Sequence, residues 1–272
     1  MRYQDLGELV GPVVLFGGLY SNLQATEAML AQTEALAVPS GNVICTGDVV
    51  AYCAQPAETV AAVRAARVVV VAGNCEKQLT ANALDCGCGF EAGTACDLLS
   101  AGWYAHANAE VGDEARRWMA GLPDVVTFQH AGKRVAVIHG GVTDVARFVF
   151  SMSWEAVFVE EIAALETLVG SVDVVVAGHS GIAFERQLGD VRWVNAGAVG
   201  MPEHDGRRET RFVILRDGTA EIRELTYDVE AAFAAMQKVG LRQGYDQALL
   251  TGYWPSEDVL PQELRLPSLA KG

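Results

Sequence analysis

The chain has 272 residues, 51% of them apolar and only 20% charged, which supplies a core and excludes disorder, since disorder needs low hydrophobicity and high charge density. Lys and Arg number 20 against 34 Asp and Glu, a net charge of −14. The surface therefore repels polyanions, and a groove for a nucleic-acid polymer, which rests on clustered cations, is excluded as a first reading.

Short β-branched runs alternate with helical segments over the first two thirds of the chain. Residues 12–16 read as a strand and 22–37, rich in Ala, Leu, Met and Glu, as a helix. Residues 42–45 give a second strand, 56–66 a helix with Pro56 in its first turn, where the missing N–H costs nothing, and 68–71 a third strand. Continuous Val and Ile runs of this kind predict strands buried on both faces. Residues 77–123 read as mostly helical, interrupted by a glycine- and cysteine-rich loop at 85–93. Strands resume at 134–138, 172–177, 192–195 and 211–215, with a helix across 154–169, and Gly189-Asp190 between apolar runs predicts a hairpin turn. Val229, Phe233, Met236 and Val239 at helical spacing predict an amphipathic helix over 228–239, and three prolines past residue 250 predict an extended tail.

No apolar run approaches the roughly 20 residues that a membrane span needs. The N-terminal Met1-Arg2-Tyr3-Gln4-Asp5-Leu6 has no apolar h-region, so no secretory signal and no membrane partner are expected, and the reducing cytoplasm is the expected compartment. Six cysteines in a chain of this size do not make a disulfide scaffold, although Cys53, Cys75, Cys86, Cys88 and Cys96 cluster in one stretch.

The informative residues stand where strands stop, because open α/β sheets place ligand groups just beyond the carboxyl ends of their strands. Five such ends carry glycine-flanked motifs: Gly17-Gly18-Leu19-Tyr20-Ser21-Asn22, Gly47-Asp48, Gly73-Asn74-Cys75-Glu76, His139-Gly140-Gly141 and Gly178-His179. An Asp, an Asn and two His delivered to one rim form a nitrogen and oxygen donor set suited to a first-row divalent ion.

The ordered series Gly-Asp, Gly-Asn, His-Gly, Gly-His resembles the calcineurin-like metallophosphoesterases, specifically their compact bacterial branch. It is carried by FGGLYSNLQA (16–25), CTGDVVAYCAQP (45–56), AGNCE (72–76), VIHGG (137–141), AGHSGIAF (177–184) and NAGAVGMP (195–202), and covers roughly residues 12–226. The resemblance implies an α/β fold, a two-sheet sandwich in four layers (α/β/β/α), spanning 1–227. A C-terminal helix and tail, 228–272, would pack on it or on a partner subunit, which leaves a homo-oligomer open. It also implies a two-metal site at one end of the sandwich. Carried over residue by residue, one ion position persists as Asp48, Asn74, His139 and His179, with Asp48 the bridging and catalytic carboxylate. The other is lost: its Asp is Gly18, its first His is Tyr20 and its last His is Gly181. The family's catalytic His after Gly-Asn is Cys75, its loop Ser is Ala198, and its later Arg is Glu203.

The expectation is a metal-dependent phosphoesterase acting on a small phosphomonoester, phosphodiester or nucleotide by a metal-bound hydroxide. The alternative is a catalytically weak or inactive binding or sensing protein that retains one metal or phosphate site. The cofactor is expected to be one ion of manganese, iron or zinc, or two if Tyr20 or the cysteines rebuild the second position. Cys75 and His204 are the candidates to assist as acid or base. Arg207 and Arg208 could meet a substrate phosphate bidentately. Asn22, which by position caps the first helix, is counted with them as substrate-binding. His106 and His130 lie outside every strand-end motif and are expected at the surface.

Overall fold

A computed structural model describes residues 1–91 and 93–267. Ala92, within the loop expected at 85–93, and the last five residues of the 228–272 segment lie outside the described residues. The first half of the chain gives β1 (Tyr3–Glu8), β2 (Val13–Phe16), α1 (Leu23–Ala35), β3 (Val43–Cys45), α2 (Pro56–Ala65), β4 (Val69–Val70), α3 (Asn74–Thr80), α4 (Ala95–Glu110) and α5 (Asp113–Ala120). The second half gives β5 (Val125–His130), β6 (Lys133–Val137), α6 (Glu155–Val169), β7 (Val174–Ala177), β8 (Phe184–Leu188), β9 (Val191–Asn195), β10 (Thr210–Arg216), β11 (Thr219–Leu225), α7 (Val229–Val239) and α8 (Tyr245–Thr251).

The strands form a six-stranded sheet, β1-β5-β6-β7-β9-β8, and a five-stranded sheet, β11-β10-β2-β3-β4. Successive side chains on a strand point to opposite faces, and the continuous apolar runs exploit this to serve two cores at once. Val13 and Leu15 join Ile44, Val135, Val137, Val174 and Val176 between the sheets, while Val14 and Phe16 face a helical layer with Met29, Val60 and Trp103. A third cluster packs Ala136, Val175 and Trp193 against Phe158 and Leu165 of α6. Three cores between four layers make the α/β/β/α sandwich that the family resemblance implies.

Parallel pairing fixes where the chemistry goes. β2, β3 and β4 run parallel in one sheet, and β6, β7 and β9 run parallel in the other. Their carboxyl ends release the Gly17-Gly18, Gly47-Asp48, Gly73-Asn74, His139 and His179 turns. The Gly189 hairpin joins β8 to β9 as expected, with φ +58 at the glycine.

Several elements differ from the sequence expectation. β1 and β11 are largely exposed edge strands with little apolar patterning, so periodicity does not mark them. β5 was also not anticipated, and it carries a correction: His130 is buried, 4% exposed, with Nε2 on the Gly11 carbonyl at 2.9 Å, rather than at the surface. A second short helix, which the sequence reading did not anticipate, stands between α7 and the expected tail. The glycines Gly244 and Gly252, both at positive φ, bracket the short α8, whose Ala248 and Leu249 are fully buried in the helical-layer core beside Met236 of α7. Of the cysteines, Cys86 and Cys88 are joined in a disulfide across Gly87, while Cys45, Cys53, Cys75 and Cys96 are free and buried. Among the described residues no helix is long and apolar enough to cross a membrane.

Candidate metal centre

Four side chains from four turns meet at the rim. Asp48 and Asn74 come from the five-stranded sheet, His139 and His179 from the six-stranded one. His139 Nε2 lies 3.3 Å from Asp48 Oδ2, 3.1 Å from Asn74 Oδ1 and 3.0 Å from His179 Nδ1. All four residues are buried.

Neighbouring groups decide which atoms face inward. The Thr46 carbonyl, 2.7 Å from His139 Nδ1, accepts that ring proton and so leaves Nε2 with its lone pair. Asn74 Nδ2 donates to the Cys86 carbonyl at 2.9 Å and lies 3.3 Å from Cys88 Sγ, which fixes the amide with Oδ1 toward the centre. The cysteine loop therefore aims a donor rather than supplying one, and Asp48, His139 and His179 are the residues whose ligand atoms lie within 4.8 Å of one another. Asp48 Oδ1 accepts the Cys75 backbone N–H at 3.2 Å, freeing Oδ2.

An imidazole lone pair facing a carboxylate and an amide oxygen at these separations is repulsive unless a cation lies among them. The spacings suit neighbouring ligands of one ion with bonds of about 2.0–2.2 Å. The residues present thus fit one divalent ion held by an oxygen and imidazole set. With no ion among them, Asp48 and His139 would share a proton instead: burial opposes it, but the Asp48 charge and hydrogen bond raise the His139 pKa, and His139 in turn holds Asp48 below its usual range despite burial. A metal cation bound there would take that proton's place. Burial and the neighbouring His139 charge pull His179 down to about 3, keeping that ring neutral and able to donate a lone pair.

The backbone is strained where this happens. Tyr20, Asp48 and His179 sit at φ +53, +55 and +60, left-handed conformations that cost a non-glycine residue roughly 1–2 kcal/mol each. Glu76, which sequence reasoning passed over as part of a motif, holds the turns together. Its buried carboxylate accepts the backbone N–H groups of Asp48, Val49 and Gly73 at 2.8–2.9 Å. Its signal was legible as the acid at the third position of α3.

At the second ion position, the sequence reading left Gly18, Tyr20 and Gly181 as three losses. They converge. A Cβ on Gly18 would lie 2.6 Å from Tyr20 Cε2 and 2.7 Å from Oη, and one on Gly181 would lie 3.6 Å from the same Oη. The Tyr20 phenol fills the space that side chains at 18 and 181 would enter. Burial, with Asp48 next, pushes the Tyr20 pKa well up, so with no ion beside it the group is a neutral phenol.

The remaining candidates are placed as follows. Cys75 lies beside Asp48, and burial followed by the Asp48 charge pushes its thiol up, so it is neutral. His204 is committed on both nitrogens: Trp254 N–H donates to Nδ1 at 2.8 Å, and Nε2 donates to Glu257 at 2.8 Å. It latches the C-terminal segment down and is not available as an acid or base in this arrangement. Asn22 caps α1 through Ala25 N–H and donates to the Gly200 carbonyl, which occupies both ends of its amide. Arg207 forms a bidentate pair with Glu224, and Arg208 contacts Glu230 and the Leu250 carbonyl. The structure does not bring either arginine into the buried cluster.

The calcineurin-like phosphoesterase superfamily domain model matches residues 13–217. The chain belongs to that superfamily. A metallophosphoesterase from Sphaerobacter thermophilus shares the fold at a TM-score of 0.68 and 17% identity, with 90% of this chain and 100% of that one covered. A hypothetical protein from Pyrococcus horikoshii OT3 does so at a TM-score of 0.70 and 14% identity, covering 90% and 98%. Comparison with curated protein sequences returns no match. The family match ends before α7, while both structural neighbours cover more of the chain than the matched residues.

Proposed function

We propose that the chain hydrolyses the phosphoester bond of a small phosphorylated substrate, using one divalent ion held by Asp48, Asn74, His139 and His179. The observation that carries this reading is the meeting of those four donor atoms in a family whose members are phosphoesterases. Manganese, iron or zinc would there act as a Lewis acid on a phosphoryl oxygen and lower the pKa of a water. The protein's own groups do the rest. The Thr46 carbonyl and the Cys86 carbonyl hold His139 and Asn74 in the donating orientation, and Glu76 keeps the Asp48 and Asn74 turns in register. The neutral Tyr20 phenol, inside the site, can donate a hydrogen bond to an anionic oxygen where the two-metal pattern has a second cation.

The test is elemental analysis of the purified protein alongside hydrolysis of bis(p-nitrophenyl) phosphate with added manganese. We expect close to one equivalent of metal, with both metal and turnover lost in Asp48→Ala. Full metal content and turnover in that variant would refute the reading. A second reading, a binding or sensing protein that keeps the ion without hydrolysis, is favoured by the Tyr20 ring filling the second position. It predicts metal at one equivalent and no turnover of any ester.

A further inference from the structure

A cavity of about 50 Å³ opens directly beside His179. A single water needs about 10–15 Å³ on this scale, so the room is that of roughly four waters, comparable to one six-membered ring. Its walls are aromatic: Tyr20, Tyr52, Phe148, Tyr245 and Trp254 line it, and among the described residues no Lys, Arg, Asp or Glu does. Tyr52 is the hub, with ring centroids 4.8 Å from Tyr20 and 4.5 Å from Tyr245, while Phe148 lies 4.4 Å from the His179 ring. Tyr20 and Tyr245 are only 6% and 7% exposed, yet their hydroxyl oxygens are not sealed in the protein as Tyr227 Oη is; both residues line the cavity, where a ligand can reach them.

Much of the wall comes from beyond the family match. Tyr245 belongs to α8, and Trp254, Ser256 and Val259 to the segment after it. Trp254 is held in place twice, by its backbone N–H on His204 Nδ1 and by its indole N–H on the Pro202 carbonyl at 2.6 Å. A fixed aromatic enclosure thus stands next to the donor set. The lining selects by charge as well as by shape. An anion entering it meets no cationic side chain, and a cation meets no carboxylate. A neutral ring loses least on entry, and an oxygen on that ring gives the tyrosine hydroxyls an acceptor.

We propose that this cavity seats the leaving group of the substrate, and that the leaving group is a neutral, planar, single-ring aromatic alcohol. The proposal rests on the phosphoesterase reading and names the substrate class for it. In the reaction a water oxygen forms the new bond to phosphorus as the bond from phosphorus to the aryl oxygen breaks. The water supplies the proton that the departing oxygen takes up, and the products are a phenol and a phosphate.

The experiment uses the full chain with manganese and two probes that cannot be hydrolysed, phenylphosphonate and methylphosphonate, with binding read by titration calorimetry. Turnover of phenyl phosphate and phenyl methyl phosphate is measured in parallel. We expect phenylphosphonate to bind at least tenfold more tightly, and Val259→Trp, which fills the cavity from its rim, to bring the two affinities within about twofold. Equal affinities in the unmodified protein overturn the proposal, and so does a preference that survives Val259→Trp. If the phenyl preference holds but neither ester is turned over, the cavity assignment stands and the hydrolase reading falls. If both esters are turned over with equal phosphonate affinities, the reverse is true.

Discussion

Gly18 and Tyr20 are coupled sterically, and the coupling can be measured. In Gly18→Ala the new Cβ meets the Tyr20 ring, 2.6 Å from Cε2 and 2.7 Å from Oη, at a backbone φ of +44. Overpacking of this kind costs about 1–3 kcal/mol, and the left-handed backbone costs an alanine about 1–2 kcal/mol more. The single variant should therefore lose about 2–5 kcal/mol. Tyr20→Ala deletes a buried ring and loses about 3 kcal/mol on its own. Combining them removes the clash but not the backbone cost, so the double variant should be more stable than the sum of the singles by about 1–3 kcal/mol. Urea denaturation of all four proteins, read as midpoints at constant slope, gives this number. Additivity to within about 0.5 kcal/mol would show that the ring does not fill the space above Gly18, and the account of the second ion position would fail with it.

Three further outcomes follow from other parts of the molecule. Burial pushes the Glu203 carboxyl up to about 7 despite the Ala183 N–H and the Arg211 charge. Because the folded pKa is raised, the folded state binds more protons between about pH 4.5 and 7. Stability should fall by about 3 kcal/mol across that window and stay flat above it, and Glu203→Gln should flatten the slope in urea melts. His204→Phe removes both hydrogen bonds of the latch, and about 2 kcal/mol of local stability should go with them; hydrogen exchange should rise over residues 253–258 and not in β2 or β7. Chelation of a metal-loaded sample should lower Tm, since an ion that binds only the folded state stabilises it by mass action, and Asp48→Ala should show no such dependence on chelator.

The central strands were legible because they are written as unbroken apolar runs and end in glycine turns, and the family resemblance of those turns implied the two-sheet sandwich. The same turns gave all four donor residues, since Asp48, Asn74, His139 and His179 each follow a run that periodicity identifies. What stayed hidden is encoded between distant residues. β1 and β11 are strands because an edge offers them partners, not because their own residues demand it. Nothing local to His204 says that residues 254 and 257 will occupy both of its nitrogens, and nothing local to Arg207 announces Glu224. The cysteine loop was misleading for a related reason. Its composition suggests thiolate ligands, whereas what reaches Asn74 most closely is a peptide carbonyl, which every residue carries. Tyr20 was visible as a departure from the family pattern, but its effect on positions 18 and 181 needs the backbone reversal at φ +53 that folds the ring back over its own turn.

The division of the donor atoms, two from each sheet, has a mechanical consequence. The layers of a sandwich are otherwise joined by oily contact, which tolerates sliding and lets one layer shear past the other by small steps. An ion shared across the seam would act as a rivet at one end of it, set in four turns of which two, at Asp48 and His179, are already tense. The opposite end would keep its freedom. The two sheets could then pivot about the rim but not part there, so small motions of the whole body would leave the chemistry end nearly still.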